Sequence, residues 1–349
     1  MRKVIVHGTY IYPIYEDALV VALRKVGYLV ISDKVSLGNS IFTKFQLRFN
    51  FLPSPLVIYL SINLFFRIIK GNPNVVFLWK AFWIHPIVLR ILKFVRPGCQ
   101  IIIYNNDNPY SSLQNPGIFD DKYLVRYFRQ QIKYADNVLV YRWQNVEEAK
   151  AYGAVSVLLF PSYYLPWIDL RTAPTLGEYT GRPFEVCFVG HYECDGRIIY
   201  LKEINSLFKL ILGGGNTWTA NVLDEINYYD HVCEHFGDQY IDLLSKSKIC
   251  LCFLSKHNKD EYTRRCFEIP ASGNLLLVER TKYLESIFVD FESALFFSSV
   301  EEAIQKIYWA LSNQSCAHEI LLNGQAVVIK GNFSVFDRVR QVINPPKVF

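Results

Sequence analysis

Short runs of consecutive apolar residues alternate with stretches of helical spacing along almost the whole chain. Residues 4–6, Val-Ile-Val, lead into His7-Gly8-Thr9-Tyr10, then helical spacing over 17–26 and an extended run at 28–31; this is a β-α-β start. Further runs at 75–78, 101–104, 138–140 and 155–159 are separated by amphipathic stretches at 86–94, 121–134 and 146–152. Continuous apolar runs, rather than alternating ones, mark strands covered on both faces. The rhythm therefore predicts six strands in a doubly wound parallel sheet.

Around 171–182 the period stops, and Thr-Ala-Pro-Thr-Leu-Gly-Glu-Tyr-Thr-Gly-Arg-Pro, residues 172–183, reads as turn chemistry and a linker. A second series follows: a run at 184–189 ending in Gly190-His191-Tyr192, a polar helix over 196–207, and a strand over 208–212 ending in Gly213-Gly214-Gly215. It continues with a helix at 239–247, a strand at 249–254, a charged stretch at 260–280, a strand at 294–297 and a helix at 300–311. Helical spacing returns at 316–322 and 335–343. The fold class expected is α/β, with two Rossmann-like doubly wound domains facing a cleft. Their bounds are 1–170 and 183–330, and a helix in 331–349 crosses back to the first domain. No short repeat is present, which excludes solenoids.

A length of 349 residues suits two domains, and 51% hydrophobic residues against 20% charged exclude disorder. The eight cysteines form no C-x-x-C pair, and Cys250 and Cys252 fall in an apolar strand, so they read as small buried hydrophobes in a reduced, cytosolic chain. The apolar run before Gly8 is too short for a secretory signal.

The net charge of +5 is unevenly spread. Between Asp33 and Asp107 there is no acidic residue, while Lys34, Lys44, Arg48, Arg67, Lys70, Lys80, Arg90, Lys93 and Arg96 are interleaved with Phe42, Tyr59, Phe66, Trp79, Trp83 and Phe94. Such a basic, aromatic segment, 34–96, suits an anionic membrane surface. The alternative is a buried core helix over 52–69 with solvated cations around it. Pro53, Pro55, Ser61 and Asn63 argue against a membrane span. Without a zinc-finger or RNA-recognition motif, nucleic acid is not an expected partner.

In a doubly wound sheet, ligands sit beyond the carboxyl ends of the strands. Among residues so placed, Asp107 lies in Asn-Asn-Asp-Asn-Pro, either a general base or part of a turn. His7 is a strand-end imidazole, either a base or a structural histidine. Lys256 can neutralise a phosphate or belong to a solvated loop. Gly214 and its neighbours allow close backbone approach or simply turn the chain. No G-x-G-x-x-G follows the first strand of either half, and no phosphate loop or metal-ligand spacing is present. No nicotinamide or flavin cofactor and no metal is therefore expected.

The richest stretch is 260–280, DEYTRRCFEIPASGNLLLVER. Arg264, Arg265 and Glu268 share a helical face, Pro270 disturbs the helix, Ser272-Gly273-Asn274 ends it, and an apolar strand follows. A carboxylate on a helix beside a glycine-turned loop can bind a ribose diol and a diphosphate together. The segment resembles the nucleotide-binding signature of GT-B glycosyltransferases, especially the CgeB-like group within the family 1 and family 4 style enzymes. There R-x-F-E-x-x-A-x-G precedes an apolar strand; here it reads Arg265-Cys-Phe-Glu268-Ile-Pro-Ala-Ser-Gly273. Residues 184–192 and 211–218 are similar to the first strand–loop units of that family's C-terminal domain. The likeness rests on motifs over 184–300 and on architecture alone before that.

The resemblance implies that Glu268 binds ribose hydroxyls and that Arg265 and Lys256 meet the diphosphate. Gly190, His191, Gly214 and Gly273 would complete the donor pocket. A glutamate often found eight positions before the ribose-binding one is Asp260 here, which leaves a retaining or an inverting outcome open. The implied activity is metal-independent, cofactor-free hexosyl transfer from a UDP- or GDP-linked sugar to a glycan or lipid-linked glycan. It would take place at the cytoplasmic membrane face, with segment 34–96 docking there and Asp107 or His7 as base if the reaction inverts. Two rivals stand beside it: a sugar-nucleotide epimerase of the same two-domain architecture, and a non-catalytic glycan-binding or envelope-assembly protein.

Overall fold

The computed structural model describes residues 2–37, 53–110, 121–215 and 217–343. The chain divides into two compact units: one runs up to Pro161 and takes in the segment from Val335, the other is Ser162–Ser334.

The first unit holds a six-stranded parallel sheet of β1 (Lys3–Gly8), β2 (Leu29–Lys34), β3 (Val75–Trp79), β4 (Gln100–Asn105), β5 (Asn137–Val140) and β6 (Val157–Leu159), in the order β2-β1-β3-β4-β5-β6. Its helices are α1 (Glu16–Lys25), α2 (Pro55–Gly71), α3 (Pro86–Val95), α4 (Asp121–Gln131) and α5 (Gln144–Ala151). All five residues of β3 are buried, as a continuous apolar run at the centre of a parallel sheet demands. Ile5, Val76, Leu78, Ile101, Ile103 and Val138 build the core with Leu64 and Ile68 of α2 and Leu89 and Leu92 of α3. Helix α2 starts where it does because the Ser54 hydroxyl accepts the Val57 N–H and Pro55 occupies the first turn, where it forfeits no hydrogen bond. The His85 imidazole caps α3 in the same way, accepting from the Ile87 N–H.

Helices α2 and α3 each bury one face and expose another. Ile58, Tyr59, Ile62, Phe66, Ile87, Ile91 and Phe94 are exposed, so a wholly buried core helix does not describe α2. Among the described residues no helix is long and apolar enough to cross a membrane. Lys44, Arg48, Phe42 and the rest of 38–52, part of the basic apolar segment, lie outside the described residues.

The second unit begins with α6 (Leu176–Thr180). Its parallel sheet contains β7 (Phe184–Val189), β8 (Leu210–Gly213), β9 (Ser247–Cys252), β10 (Leu275–Glu279) and β11 (Leu295–Phe297), ordered β11-β10-β9-β7-β8. Around it stand α7 (Arg197–Leu207), α8 (Ala220–Glu225), α9 (Asp238–Ser245), α10 (Arg265–Ala271), α11 (Lys282–Glu285), α12 (Val300–Ser312) and α13 (Gln314–Lys330). The last helix, α14 (Val335–Ile343), packs on α1 of the first unit.

The stretch 171–182 is not the loose linker its composition suggests. Thr175 and Glu178 form a capping box, with the hydroxyl accepting the Glu178 N–H and the carboxylate accepting the Thr175 N–H. The helix so started buries Tyr179 completely, and Ala173 packs on the second unit's core.

Candidate active site

Each sheet reverses its winding once. In the second unit β7 leads to β8 on one side and has β9 on the other, so the ligand crevice of a doubly wound sheet falls at the carboxyl ends of β7 and β9. Three sequence-predicted residues meet there. A Cβ built on Gly190, just past β7, would lie 3.4 Å from Arg265 Nη2 and 2.9 Å from the Phe188 ring. One built on Gly214 would come 2.3 Å from the Gly190 carbonyl oxygen. None of Gly213, Gly214 and Gly215 has a positive φ; at Gly214 glycine serves the contact of one backbone turn with another. Trp218 Nε1–H donates to the Gly190 carbonyl at 2.7 Å and fixes that contact. The His191 ring lies beside Gly215 together with the Glu234 carboxylate.

Loop 190–197 is held by one buried guanidinium. Arg197 donates through Nε and Nη2 to the Asp195 carboxylate (2.8 and 2.6 Å) and through Nη1 to the His191 carbonyl (2.7 Å). Lys256 Nζ donates to the Asp195 carbonyl at 2.7 Å, and the Ser255 hydroxyl to Glu193 Oε2 at 2.7 Å. Lys256 thus stands at the edge of the crevice. Glu279 accepts the Leu254 N–H, and burial pushes its carboxyl above the usual range.

Glu268, one turn into α10, is nearly buried. Arg264 bridges it to a residue that sequence reasoning missed: Nη1 meets Glu268 Oε2 at 2.5 Å and Nη2 meets Asp169 Oδ2 at 2.5 Å. Two carboxylates therefore share one guanidinium out of water. Burial, reinforced by the Glu268 carboxylate, keeps the Tyr240 hydroxyl protonated beside them. The partner of Arg264 lies ninety-five residues away in sequence, in a stretch without a motif. Asp260, at the position that bears on stereochemistry, closes a turn through its N–H to the Ser255 carbonyl.

Gly273 does not line this crevice. It stands two residues before β10, whose first residue pairs with Ile249 of β9, so it lies at the amino edge of the sheet, opposite Gly190. Its φ of 71° and a would-be Cβ 3.1 Å from Ala173 Cα explain the glycine structurally, and its carbonyl accepts from Arg182.

In the first unit, His7 is 2% exposed and both ring nitrogens are engaged. The Trp83 indole N–H donates to Nε2 at 2.9 Å, so the ring proton sits on Nδ1, which faces Asp33 Oδ2 at 2.8 Å. Arg67 pairs with the other oxygen of Asp33. A base needs an unoccupied lone pair within reach of its substrate, and His7 offers none; the expected catalytic role gives way to a structural one. Asp107, by contrast, follows β4 with its carboxylate 56% exposed and Lys80 Nζ 2.7 Å from Oδ2, while its own N–H donates to Asn105 Oδ1. Among the described residues no group of three or more His, Cys, Asp or Glu side chains is placed to hold a metal ion.

Residues 199–344 match the family model described as Glycosyl transferase-like. Sucrose-phosphate synthase from Thermosynechococcus elongatus is similar in structure at a TM-score of 0.68 and 12% identity, over 99% of this chain and 98% of that one. Anabaena Alr3699/HepE in complex with UDP-glucose is similar at 0.67 and 10%, over 99% of each chain. A candidate UDP-N-acetylglucosamine 2-epimerase from Listeria monocytogenes follows at 0.56 and 14%, over 98% and 94%. No curated protein sequence matches the chain significantly.

These likenesses establish the GT-B fold. The fold is shared with the epimerase and does not choose between transfer and epimerisation; the glycosyl transferase-like match over residues 199–344 favours transfer. The chain has the GT-B fold, and its residues 199–344 match the glycosyl transferase-like model, in keeping with the resemblance in its sequence.

Proposed function

We propose that the protein moves a sugar from a nucleoside-diphosphate donor to a hydroxyl of a glycan or lipid-linked glycan, without a metal ion. The observation that carries this reading is the meeting of Gly190, Gly214 and Arg265 at the winding reversal of the second sheet. The glycines let the chain turns after β7 and β8 meet closely, and the Arg265 guanidinium beside Gly190 suits a diphosphate. Arg265 and Lys256 stabilise the charge that develops on the departing diphosphate, and Glu268 takes the ribose hydroxyls while Arg264 holds it. The UDP-glucose complex of the similar Anabaena protein favours a UDP-linked donor over a GDP-linked one.

In the first unit Asp107 takes the proton of the acceptor hydroxyl. The exposed apolar faces of α2 and α3 contain no acidic residue and carry Arg67, Lys70, Arg90 and Lys93. They suit peripheral attachment to the anionic cytoplasmic leaflet, where lipid-linked acceptors reside.

A thermal-shift panel of UDP, GDP, ADP and CDP tests the donor reading. Ligand at about a hundred times its Kd adds roughly 2.7 kcal/mol of stability, a readily measured shift. The wild type is expected to respond to UDP and Glu268→Ala to lose most of that response. An undiminished shift in the variant removes Glu268 from the site, and no response to any diphosphate sinks the reading.

A further inference from the structure

The first sheet reverses its winding between β1 and β3, since β1 leads to β2 on one side and has β3 on the other. At this edge both strands are followed by a non-glycine residue in the left-handed region, Tyr10 at φ 55° and Lys80 at φ 47°. That conformation is unfavourable for any residue with a Cβ and easy for glycine. Backbone preference therefore does not account for a lysine at this point.

The surroundings fix where its side chain goes. The Lys80 N–H donates to the Tyr104 carbonyl and its own carbonyl accepts from the Phe82 N–H, each at 2.8 Å. Nζ meets Asp107 Oδ2 at 2.7 Å and stands 6.0 Å from the centre of the Tyr15 ring. Burial alone would disfavour the ammonium, but Asp107, Tyr15 and Glu16 outweigh it and raise the lysine above its ordinary range. Glu16 is committed to the backbone, accepting the N–H groups of Thr9 and Tyr10. Arg142, Arg129 and Glu148 face the Asn106 carbonyl, the Pro109 carbonyl and the Asn145 amide, and Lys34 pairs with Asp17. With Asp107 more than half exposed, the ion pair adds little to stability. The backbone does not explain Lys80; its ammonium offsets the buried Glu16 charge at longer range and contacts Asp107 directly.

We infer that Lys80 is the positioning residue of the acceptor site, orienting the Asp107 carboxylate toward the acceptor hydroxyl. This rests on Asp107 acting as base. In the step so arranged, the acceptor O–H gives its proton to an Asp107 oxygen and the acceptor oxygen forms a bond to the anomeric carbon. The bond from that carbon to the diphosphate oxygen breaks, and its electron pair leaves with the diphosphate.

The test measures UDP released from UDP-glucose, with water as acceptor, in full-length Lys80→Gly, Lys80→Arg and Asp107→Asn. Glycine relieves the left-handed strain, so the melting midpoint of Lys80→Gly stays level or rises while kcat falls by roughly 10²-fold, with the KM for UDP-glucose unchanged. Added ethylammonium restores part of that kcat, and Lys80→Arg keeps most of it. A Lys80→Gly enzyme within about threefold of wild type, or one whose loss comes with a lower midpoint and no rescue by either route, overturns the inference. Asp107→Asn separates the two levels. If it is inactive while Lys80→Gly is active, the base stands and only the lysine's role falls; if it keeps wild-type activity, the base falls and the lysine's role with it.

Discussion

The shared guanidinium of Arg264 makes an unusual demand on stability. Asp169 and Glu268 have side chains 1% and 6% exposed, and Arg264 is the cation between them. Burial pushes the Asp169 carboxyl up to about 6; Arg264 opposes this and the Glu268 carboxylate adds to it. The folded value thus exceeds the ordinary 3.8. A carboxyl raised on folding contributes stability that is fully present below the unfolded pKa and lost as pH rises through the folded one. Two pH units at 1.36 kcal/mol each put the loss above pH 7 at about 3 kcal/mol, an upper figure for a group this close to its counter-charge.

Asp169→Asn removes the excess charge and keeps the shape. Its amide oxygen can still accept from the Leu165 N–H, 2.6 Å from the carboxylate now, and from Arg264. In urea denaturation followed by circular dichroism, the variant should be about 1–3 kcal/mol more stable than wild type at pH 7.5, and the two should converge near pH 4. A variant less stable at pH 7.5, or a difference that does not change with pH, would refute the charge-excess argument. The Arg264–Asp169 pair would then be a net stabiliser of the ordinary buried kind.

Gly273→Ala should cost about 1–2 kcal/mol, because alanine at φ 71° is strained and its Cβ meets the 172–174 backbone. The UDP-induced thermal shift should survive; its loss would return Gly273 to the donor pocket. Full-length protein should float with phosphatidylglycerol vesicles at low salt and not with neutral ones, and Phe94→Ser should weaken that binding. Failure to float at low salt would remove the membrane from the proposal.

Element type was legible along this sequence because parallel strands buried on both faces leave uninterrupted apolar runs, as in β3 and β10. Side-chain partnership was not. Trp83 reaches His7 across seventy-six positions and Arg264 reaches Asp169 across ninety-five, and no local pattern encodes either. A strand-end histidine looks available in sequence whether or not an indole occupies its lone pair. Helix α6 is a different case: the Thr-x-x-Glu signal of its capping box was on view, but Pro174, Gly177, Gly181 and Pro183 around it weigh toward turns. Gly273 matched a motif, and the motif says nothing of which edge of the sheet its glycine occupies; strand register does.

The two winding reversals are built from opposite materials, and this bears on what each can recognise. At the second sheet, β7 is followed by Gly190 and β8 runs into Gly213-Gly214-Gly215, with Gly214 and Gly190 in backbone contact. At the first, Tyr10 and Lys80 hold left-handed backbone with full side chains. Backbone and a guanidinium suit a group that is the same in every donor, a diphosphate. Lysine and aspartate side chains suit a partner whose hydroxyl must be picked out from several. Exchanging Lys80 should therefore alter acceptor use and leave the UDP response of the second unit intact, whereas bulk added at Gly190 or Gly214 should abolish the response to nucleotide itself.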